Sequence, residues 1–258
     1  MRDDTSLERY ARQVVLPEIG PAGQDKLARA RVLIVGAGGL GSPAAFYLAA
    51  AGVGTLGIAD ADVVEVENLQ RQILHRLPAV GRPKTASAAA TLGEFNPGVR
   101  IVEHPVRVSP GNALEILASY DIVVDAADNL ATKYLLNDAC FFLDRPLVHG
   151  AVLRFEGQLL TVIPRRTPCF RCLFPAAPPA ELSPPARVAG ILGTVPGVIG
   201  ALQANEAVKL VVGAGEPAGG RLILFDALAT RFREVRVARN PRCPLCGENP
   251  TIREPGTM

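Results

Sequence analysis

The hydrophobic positions in the first 150 residues alternate between short apolar runs and longer segments with helical spacing. The run Arg31–Val35 is rich in β-branched residues and ends at a glycine cluster, and Ser42–Ala51 behind it is alanine-rich and typical of a helix. Further strands are predicted over Thr55–Asp60, Val99–His104, Asp121–Asp125 and Pro146–His149, and further helices over Gly81–Phe95, Asn112–Ser119 and Ala131–Phe142. This alternation predicts an α/β fold with a Rossmann-like, doubly wound and mainly parallel sheet.

The pattern changes after Gly150. Strands are predicted over Gln158–Ile163, Arg221–Phe225 and Arg231–Val237, and the turns between them indicate an antiparallel extension of the sheet. Val195–Val212 has apolar residues at helical spacing and is predicted to be a core helix. We therefore expect a single domain over residues 1–258, with an N-terminal helical segment (1–30), a parallel half (31–150) and the antiparallel extension (151–258).

A proline-rich stretch separates the first of these late strands from the core helix. Pro164–Pro185 contains seven prolines, and such composition favours a connection without regular structure. We expect a mobile loop over 164–190. Two interpretations stay open: a passive surface connection, and a lid over a binding site.

Composition excludes several classes of partner. The chain has 258 residues, 48% of them hydrophobic, and its net charge of +2 comes from 27 basic and 25 acidic residues without long runs of one sign. Duplex nucleic acid and anionic membranes are therefore unlikely partners. Val32–Ala59 is uncharged, but Pro43 and seven glycines interrupt it, which favours a buried strand, turn and helix over a membrane span. The charged N-terminus lacks a secretory signal, so we expect a cytoplasmic protein.

The glycine cluster has the pattern of a phosphate-binding turn. It lies between a predicted strand and a predicted helix and comprises Gly36, Gly38, Gly39 and Gly41. Backbone amides and the helix dipole at such a turn attract phosphate. Asp60 follows Gly41 by 19 residues at the end of the second strand, where a carboxylate can accept hydrogen bonds from a ribose. Residues 31–150 are therefore predicted to bind a nucleotide, although glycines that merely allow close packing would give the same spacing.

Two cations suggest which nucleotide is bound. Arg71 lies in the polar segment Glu65–Gln72, and Lys84 lies at the start of the next predicted helix. ATP carries more negative charge than a dinucleotide pyrophosphate, and attack on it by an anion requires fixed positive charge. Each cation alone is typical of a solvated surface residue. A nicotinamide-dependent oxidoreductase would share the glycines and Asp60 but would not need these cations.

Asp128 and Asn129 follow the strand Asp121–Asp125 at its carboxyl end, where ligands bind in open α/β sheets. A carboxylate there could hold Mg²⁺ beside the phosphates. Asn129 could hydrogen-bond the nucleotide or cap the next helix, and capping is the favoured interpretation.

Four of the five cysteines form two Cys-x-x-Cys pairs, Cys169/Cys172 and Cys243/Cys246. In a reducing compartment such pairs are typical of a tetrahedral structural zinc site, which would connect the first pair to the C-terminal tail. A redox role is the alternative. Cys140 lies on a predicted helix and is expected to be a buried, inert thiol.

Taken together, these motifs resemble the MoeB/ThiF/HesA family of adenylyltransferases related to ubiquitin-activating enzymes, and most of all its molybdopterin-synthase adenylyltransferases. The resemblance covers nearly the whole chain. Its motifs are Glu8–Gln13, the glycine turn, Asp60-x-Asp62, Asn68–Gln72, Gly81-x-Pro83-Lys84, Asp128-Asn129, Gly150-Ala151, Glu156–Gln158, Pro168-Cys169-x-x-Cys172, Gly197–Gly200 and Cys243-x-x-Cys246.

The resemblance implies roles for individual residues. Asp60 would bind the ribose of ATP, and Asp62 of the same motif would be a further nucleotide-binding residue. The nucleotide and its phosphates would be contacted by Asn68, Arg71 and Lys84, with Gln72 assisting Arg71 and Asp128 organising Mg²⁺. The family also implies a homodimer in which Arg12 reaches the partner's ATP site. The implied substrate is a small ubiquitin-like sulfur-carrier protein ending in Gly-Gly, whose carboxylate attacks ATP to give an acyl-adenylate and pyrophosphate.

The sequence departs from the family at one position. Members that form a covalent intermediate carry a further cysteine after the first zinc pair, whereas Leu173–Arg242 contains none and Ala186 stands near the equivalent position. The enzyme is therefore expected to stop at the adenylate, with sulfur supplied by another protein such as a cysteine desulfurase or a rhodanese. A tRNA base or a peptide as substrate, a non-catalytic binding role, and the carrier's pathway (molybdopterin, thiamine, tRNA thiolation or cysteine synthesis) stay open.

Overall fold

One continuous eight-stranded sheet runs through the computed structural model, which describes residues 4–177 and 186–256. The spatial order is β3-β2-β1-β4-β5-β6-β7-β8, in which β1 to β5 are parallel and β6 to β8 are antiparallel. The predicted fold class is confirmed. The strands are β1 (Arg31–Val35), β2 (Thr55–Ala59), β3 (Arg100–His104), β4 (Ile122–Asp125), β5 (Leu147–Leu153), β6 (Glu156–Val162), β7 (Arg221–Asp226) and β8 (Arg231–Arg236).

Helices cover both faces of the parallel half. Alternate residues of β1 face opposite layers, so that Val32 and Ile34 join one buried cluster while Leu33 and Val35 join the other. This two-sided burial explains why the inner strands β1, β2 and β4 are almost entirely apolar, whereas the edge strand β3 is not. The helices are α1 (Asp4–Val14), α2 (Gly20–Arg29), α3 (Gly41–Ala51), α4 (Lys84–Phe95), α5 (Ala113–Ala118), α6 (Leu130–Leu143), α7 (Phe170–Leu173), α8 (Ala186–Ala189) and α9 (Thr194–Val212).

Two predicted boundaries need correction. The helix predicted over Gly81–Phe95 begins only at Lys84, because Gly81 adopts a φ of +84° and Pro83 takes an extended conformation as its N-cap. The strand predicted to end at His149 continues to Leu153, since β6 pairs with it along its whole length. The segment between β2 and α4 contains two short 3₁₀ helices, over Val66–Asn68 and Leu77–Ala79, which the hydrophobic periodicity did not predict.

The segment predicted as a mobile loop is partly ordered by contacts in the described residues. α7 lies within it, and the hydroxyl of Tyr134 donates to the carbonyl oxygens of Phe174 (3.1 Å) and Ala176 (2.8 Å). α8 begins at Ala186. Residues 178–185, the centre of the predicted lid, lie outside the described residues.

α9 is a core helix of the sheet. Among the described residues it is the one helix long and apolar enough to cross a membrane by length and composition, but half of that stretch is buried inside the protein. It packs against α3 and against β5 and β6. Gln203, at its centre, donates from Nε2 to the carbonyl oxygens of Asp125 (2.7 Å) and Val148 (3.0 Å). α9 therefore holds the end of β4 and the beginning of β5 through these backbone hydrogen bonds.

The close contact between α9 and α3 depends on Gly200. A Cβ there would lie 2.3 Å from the carbonyl oxygen of Leu40 and 2.5 Å from Pro43, whereas a Cβ at Gly197 of the same helix would meet nothing within 4 Å. We predict that Gly200→Ala lowers the free energy of unfolding by about 1–3 kcal/mol through overpacking. Gly197→Ala should leave it unchanged or raise it, because alanine favours helix. Urea unfolding measures both, and equal effects of the two substitutions would contradict the packing.

Candidate functional site

A cavity of about 740 Å³ opens at the carboxyl ends of β1, β2 and β4. Ligands bind at this edge in open α/β sheets. Ten of the residues predicted to bind nucleotide line its wall: Gly36, Gly38, Gly39, Asp60, Asp62, Arg71, Gln72, Lys84, Asp128 and Asn129. Arg71, Lys84 and Asp128 thus lie on the wall of one space.

Three predicted residues do not line the cavity. Gly41 begins α3, and a Cβ there would lie 1.9 Å from the carbonyl oxygen of Gly36. Glycine is therefore required at this position because no side chain fits. Asn68 is buried and caps its 3₁₀ helix by accepting from the Glu65 amide (3.2 Å). Arg12 is exposed on α1.

The glycine turn and Asp60 form one unit. Gly36 has a φ of +101°, and a Cβ there would lie 2.6 Å from the carbonyl oxygen of Ala126, so the turn requires glycine. The carboxylate of Asp60 accepts from the amides of Ala37 and Asp62, each at 2.8 Å. Each carboxylate oxygen keeps a further lone pair. Asp60 is therefore held in place while remaining able to accept hydrogen bonds from a ligand hydroxyl.

The two cations of the wall are held differently. Lys84 is 6% exposed, and its Nζ lies 3.1 Å from Oδ2 of Asp62, whose side chain is largely exposed. Arg71 donates from Nη1 to the carbonyl oxygen of Glu67 (3.1 Å), which leaves the rest of its guanidinium fork for another acceptor. Because the partner of Lys84 is a solvent-exposed carboxylate, a phosphate oxygen can replace it at small cost in free energy.

His75 supports the glycine turn. Sequence analysis did not predict this role of His75. Its Nε2 donates to the carbonyl oxygen of Ala37 (2.8 Å), and its Nδ1 lies 3.0 Å from Oγ of Ser87. Burial lowers the pKa of His75, so the neutral ring bridges the turn and α4. No motif marks this residue, because its partners are distant in sequence.

A buried charged network lies beneath the cavity. Asp125, which ends β4, has no exposed surface; its carboxylate accepts from Lys133 Nζ (3.3 Å to each oxygen), His149 Nδ1 (2.6 Å) and the amide of Ala127 (3.0 Å). Lys133 also donates to the carbonyl oxygen of Gly150 (2.6 Å). Burial alone would raise the pKa of Asp125, but the charge of Lys133 and the hydrogen bond from His149 outweigh it and lower that pKa. Lys133 and His149 line the cavity.

Asp128 and Asn129 stand at the cavity mouth. Both are exposed, and Asn129 caps α6 by accepting from the Thr132 amide (2.9 Å), as the favoured interpretation predicted. Asp128 has one hydrogen bond among the described residues, at 3.4 Å from Asn129 Nδ2. Its carboxylate is available to an ion held jointly with a ligand.

The four paired cysteines form a separate centre. The sulfur atoms of Cys169, Cys172, Cys243 and Cys246 all lie within 4.8 Å of one another, and three of these residues are buried. Four thiol sulfurs at this separation can bind one metal ion tetrahedrally. Cys140 lies apart from them, fully buried, and burial raises its pKa, as expected for an inert thiol.

The cysteine cluster is joined to the cavity wall through α6. Arg171, between the first two cysteines, forms two buried 2.7 Å hydrogen bonds with the carboxylate of Asp138 and stacks 4.7 Å over the ring of Tyr134. Tyr134 and its neighbour Phe170 both line the cavity. Removing one partner of such a buried ion pair destabilises a protein by about 3–5 kcal/mol, so the position of this wall depends on α7.

Comparison with known proteins gives a consistent result. A model of the ThiF family matches residues 10–245. The sulfur carrier protein adenylyltransferase of Thermus thermophilus is 51% identical over 96% of this chain and 93% of its own length. The SAMP-activating enzyme E1 of Haloferax volcanii is 50% identical over 95% of this chain and 91% of its own length.

Longer relatives share the same region. The adenylyltransferase and sulfurtransferase MOCS3-2 of Zea mays is 52% identical over 95% of this chain, but the chain spans only 51% of that protein. Among solved structures, Escherichia coli MccB with MccA-N7isoASN superposes with a TM-score of 0.81 over 95% of this chain and 76% of MccB, at 23% identity. At that identity the likeness shows a shared fold.

The buried network predicts how stability depends on pH. Burial and the charge of Lys133 lower the pKa of His149 from its ordinary 6.5, so the unfolded chain takes up a proton first as the pH falls. The stability contributed by neutral His149 is complete above about pH 6.5 and is lost below it, at up to about 1.4 kcal/mol per pH unit.

His149→Asn should therefore flatten the fall in unfolding free energy between about pH 7 and pH 5, measured by denaturant titration. Arg76→Ala, at an exposed residue, should keep the wild-type slope; an unchanged slope in His149→Asn would contradict the assignment.

Proposed function

The chain belongs to the ThiF family, and from that premise we propose that it transfers the adenylyl group of ATP to the C-terminal glycine carboxylate of a small ubiquitin-like sulfur-carrier protein. The observation that carries the proposal is the convergence of Arg71, Lys84 and Asp128 on one cavity. The printed names of the relatives matched over more than nine tenths of their length support the substrate class.

The glycine turn and Asp60 would position ATP along the sheet edge. Phosphates would lie against the amides at the start of α3, and the ribose would lie beside Asp60 at the end of β2. Lys84 would exchange Asp62 for a phosphate oxygen, while Arg71 would direct its free donors to the same group. The unpaired, buried Oε1 of Gln72 lies in the same wall and leaves this side chain able to accept from a ligand or from Arg71.

Electrostatics makes the cations necessary. The reaction brings a carboxylate to a triphosphate, and two like charges at 4 Å repel by about 4 kcal/mol at an effective dielectric constant of 20. Each fixed cation offsets a repulsion of that size without reorganising during the reaction. The carboxylate oxygen bonds to the α-phosphorus, the bond to the β-phosphate oxygen breaks, and pyrophosphate leaves.

Asp128 fits a magnesium site of the kind that shares its ligands with substrate. Mg²⁺ prefers oxygen ligands and is commonly held by one or two carboxylates together with phosphates and water, and Asp128 offers one exposed carboxylate at the phosphate end. When bound, the ion would reduce the charge of the phosphates. The chain's own contribution is to fix this carboxylate at the N-terminus of α6, next to the cap formed by Asn129.

The other end of the cavity suits an extended tail. Much of the wall there is apolar and comes from β5, from α7 and the residue after it, and from the segment before α9: Val152, Leu153, Phe170, Phe174 and Ile191. Glu156 and Gln158 of β6 add polar groups to the same end. A glycine-rich C-terminus could enter without side-chain clashes. The oxidoreductase alternative is not favoured, because the relatives matched over more than nine tenths of their length are named as an adenylyltransferase and an activating enzyme.

Assembly and sulfur supply extend the proposal. Arg12 is exposed on α1 and absent from its own cavity wall, which suits the role of reaching the site of a partner in a homodimer. Leu173–Arg242 contains no cysteine, so a separate desulfurase or rhodanese would supply sulfur after adenylation.

We further propose that the cysteine centre holds zinc in a structural role. Four thiolates without an open position match structural rather than catalytic zinc sites. The ion would connect α7 to the segment around Cys243 and thereby fix the cavity wall formed by Phe170.

Pyrophosphate exchange into ATP tests the function directly. Wild-type protein should catalyse exchange only with a carrier that ends in Gly-Gly, and testing each candidate carrier separately identifies the pathway. Arg71→Ala and Asp128→Asn should lower kcat/KM on the order of 10²- to 10³-fold, as loss of a transition-state charge contact does. Arg76→Ala, at an exposed arginine of the same segment, is the matched control and should retain the wild-type rate. Exchange that survives Arg71→Ala and Asp128→Asn would refute the assigned site.

Metal analysis tests the cysteine centre. Purified protein should contain about one zinc ion per chain. Cys243→Ser should lose the metal and stability on the order of several kcal/mol, whereas Cys140→Ala, at the cysteine outside the cluster, should retain the metal. Elemental analysis after dialysis against chelator, with thermal unfolding, makes the comparison; zinc retained in Cys243→Ser would exclude this ligand set.

A further inference from the structure

One nitrogen of the His149 imidazole has no hydrogen-bond partner among the residues that the structure describes. Nδ1 is bound to Asp125 at 2.6 Å, and the ring packs against Phe170 with a centroid distance of 4.7 Å. Nε2 has no hydrogen bond to any described residue. Among the described residues, the side-chain atoms that are fully buried without a hydrogen-bond partner are Gln72 Oε1, Thr85 Oγ1, Arg145 Nε and Gln203 Oε1. Nε2 of His149 is not one of them, so it is not fully buried. Nε2 therefore keeps some exposed surface, and because His149 lines the cavity, the cavity is the space to which we assign this exposure.

The network determines which protonation state faces the cavity. The carboxylate of Asp125 can only accept, so the proton shared with it belongs to Nδ1. Burial and Lys133 lower the pKa of His149, which keeps the ring neutral near pH 7. Nε2 therefore presents a lone pair, and its natural partner is a donor N–H or O–H.

The sheet order places His149 on the side of the cavity away from the ribose. Asp60 follows β2, whereas His149 lies in β5, and β1 and β4 stand between these strands. At about 4.8 Å per strand, the two residues are separated by roughly three strand spacings. The phosphates would lie at the turn after β1, between Asp60 and His149. The group nearest His149 would therefore be the substrate's carboxylate-bearing tail, which approaches the phosphates from the side opposite the ribose.

The geometry points to His149 as a specificity-determining residue that accepts, through Nε2, a backbone N–H from the last three residues of the substrate's C-terminal tail. This inference rests on the proposed function. A tail of glycines has no side chain to recognise, so its backbone N–H groups are its only donors. Asp125 acts as a positioning residue, because it holds the imidazole by Nδ1 and so directs Nε2 to the cavity.

Kinetics of His149→Asn test the inference. The side-chain amide of asparagine can replace the Nδ1–H that Asp125 accepts but provides nothing at the position of Nε2. In pyrophosphate exchange, we expect KM for the carrier to rise roughly 3- to 10-fold, the effect of losing one neutral hydrogen bond, with the dissociation constant for ATP unchanged. An unchanged KM, or an equal loss of ATP binding, would overturn the inference.

Carriers with a modified tail identify the partner atom on the unaltered enzyme. Semisynthetic carriers would carry an ester in place of one amide at each of the last three peptide bonds, which deletes a single N–H. One ester should raise KM by the same factor with wild-type protein and have no further effect on His149→Asn. If none of the three esters changes KM with wild-type protein, or if the ester and the substitution act independently, the inference is wrong. A wild-type protein that catalyses no carrier-dependent exchange would instead refute the proposed function, and the inference with it.

Discussion

The buried carboxylate of Asp125 is the constraint on which the rest of the site depends. A charge without exposed surface is costly in free energy unless it is paired and hydrogen-bonded. Its partners here are the amide of Ala127 just after β4, Lys133 of α6 and His149 of β5. Gln203 of α9 binds the backbone of the same residue. Satisfying one carboxylate therefore fixes the relative positions of two central strands and α6, while α9 is fixed to the same residue through its backbone carbonyl.

The cavity above this floor is divided by chemistry. The side near β1 and β2 carries the glycine turn, Asp60 and the two cations, whereas the side near β5 and α7 is mostly apolar. In the proposed function, charge on the first side would compensate phosphate, and the second side would receive the carrier's tail. His149 and Lys133 lie on the network between the two sides. The cysteine centre stiffens the second side through Arg171 and Asp138.

Local motifs could be predicted from sequence because their geometry is local. The glycine turn, the cap formed by Asn129 and the Cys-x-x-Cys pairs each depend on a few neighbouring residues. Arg71 and Lys84 could be assigned to the phosphates from sequence because both follow the second predicted strand, the first in a polar segment and the second at the start of the next helix. The network of Asp125, Lys133 and His149, and the bridge formed by His75, depend on side chains from separate elements with no characteristic spacing, so only the folded chain shows them. The start of α4 was placed three residues early, because proline and glycine at the approach to Lys84 end the turn before the helix begins.

The central claim is that the cations and Asp128 surround a triphosphate at this sheet edge. Diffraction from crystals of the protein with Mn²⁺ and a non-hydrolysable ATP analogue tests it most directly, because the anomalous signal locates the ion without assumption. The account predicts Mn²⁺ bound by the carboxylate of Asp128 and by phosphate oxygens, with Arg71 and Lys84 donating to the same phosphates. An ion or triphosphate bound elsewhere, with Lys84 still paired to Asp62, would contradict it.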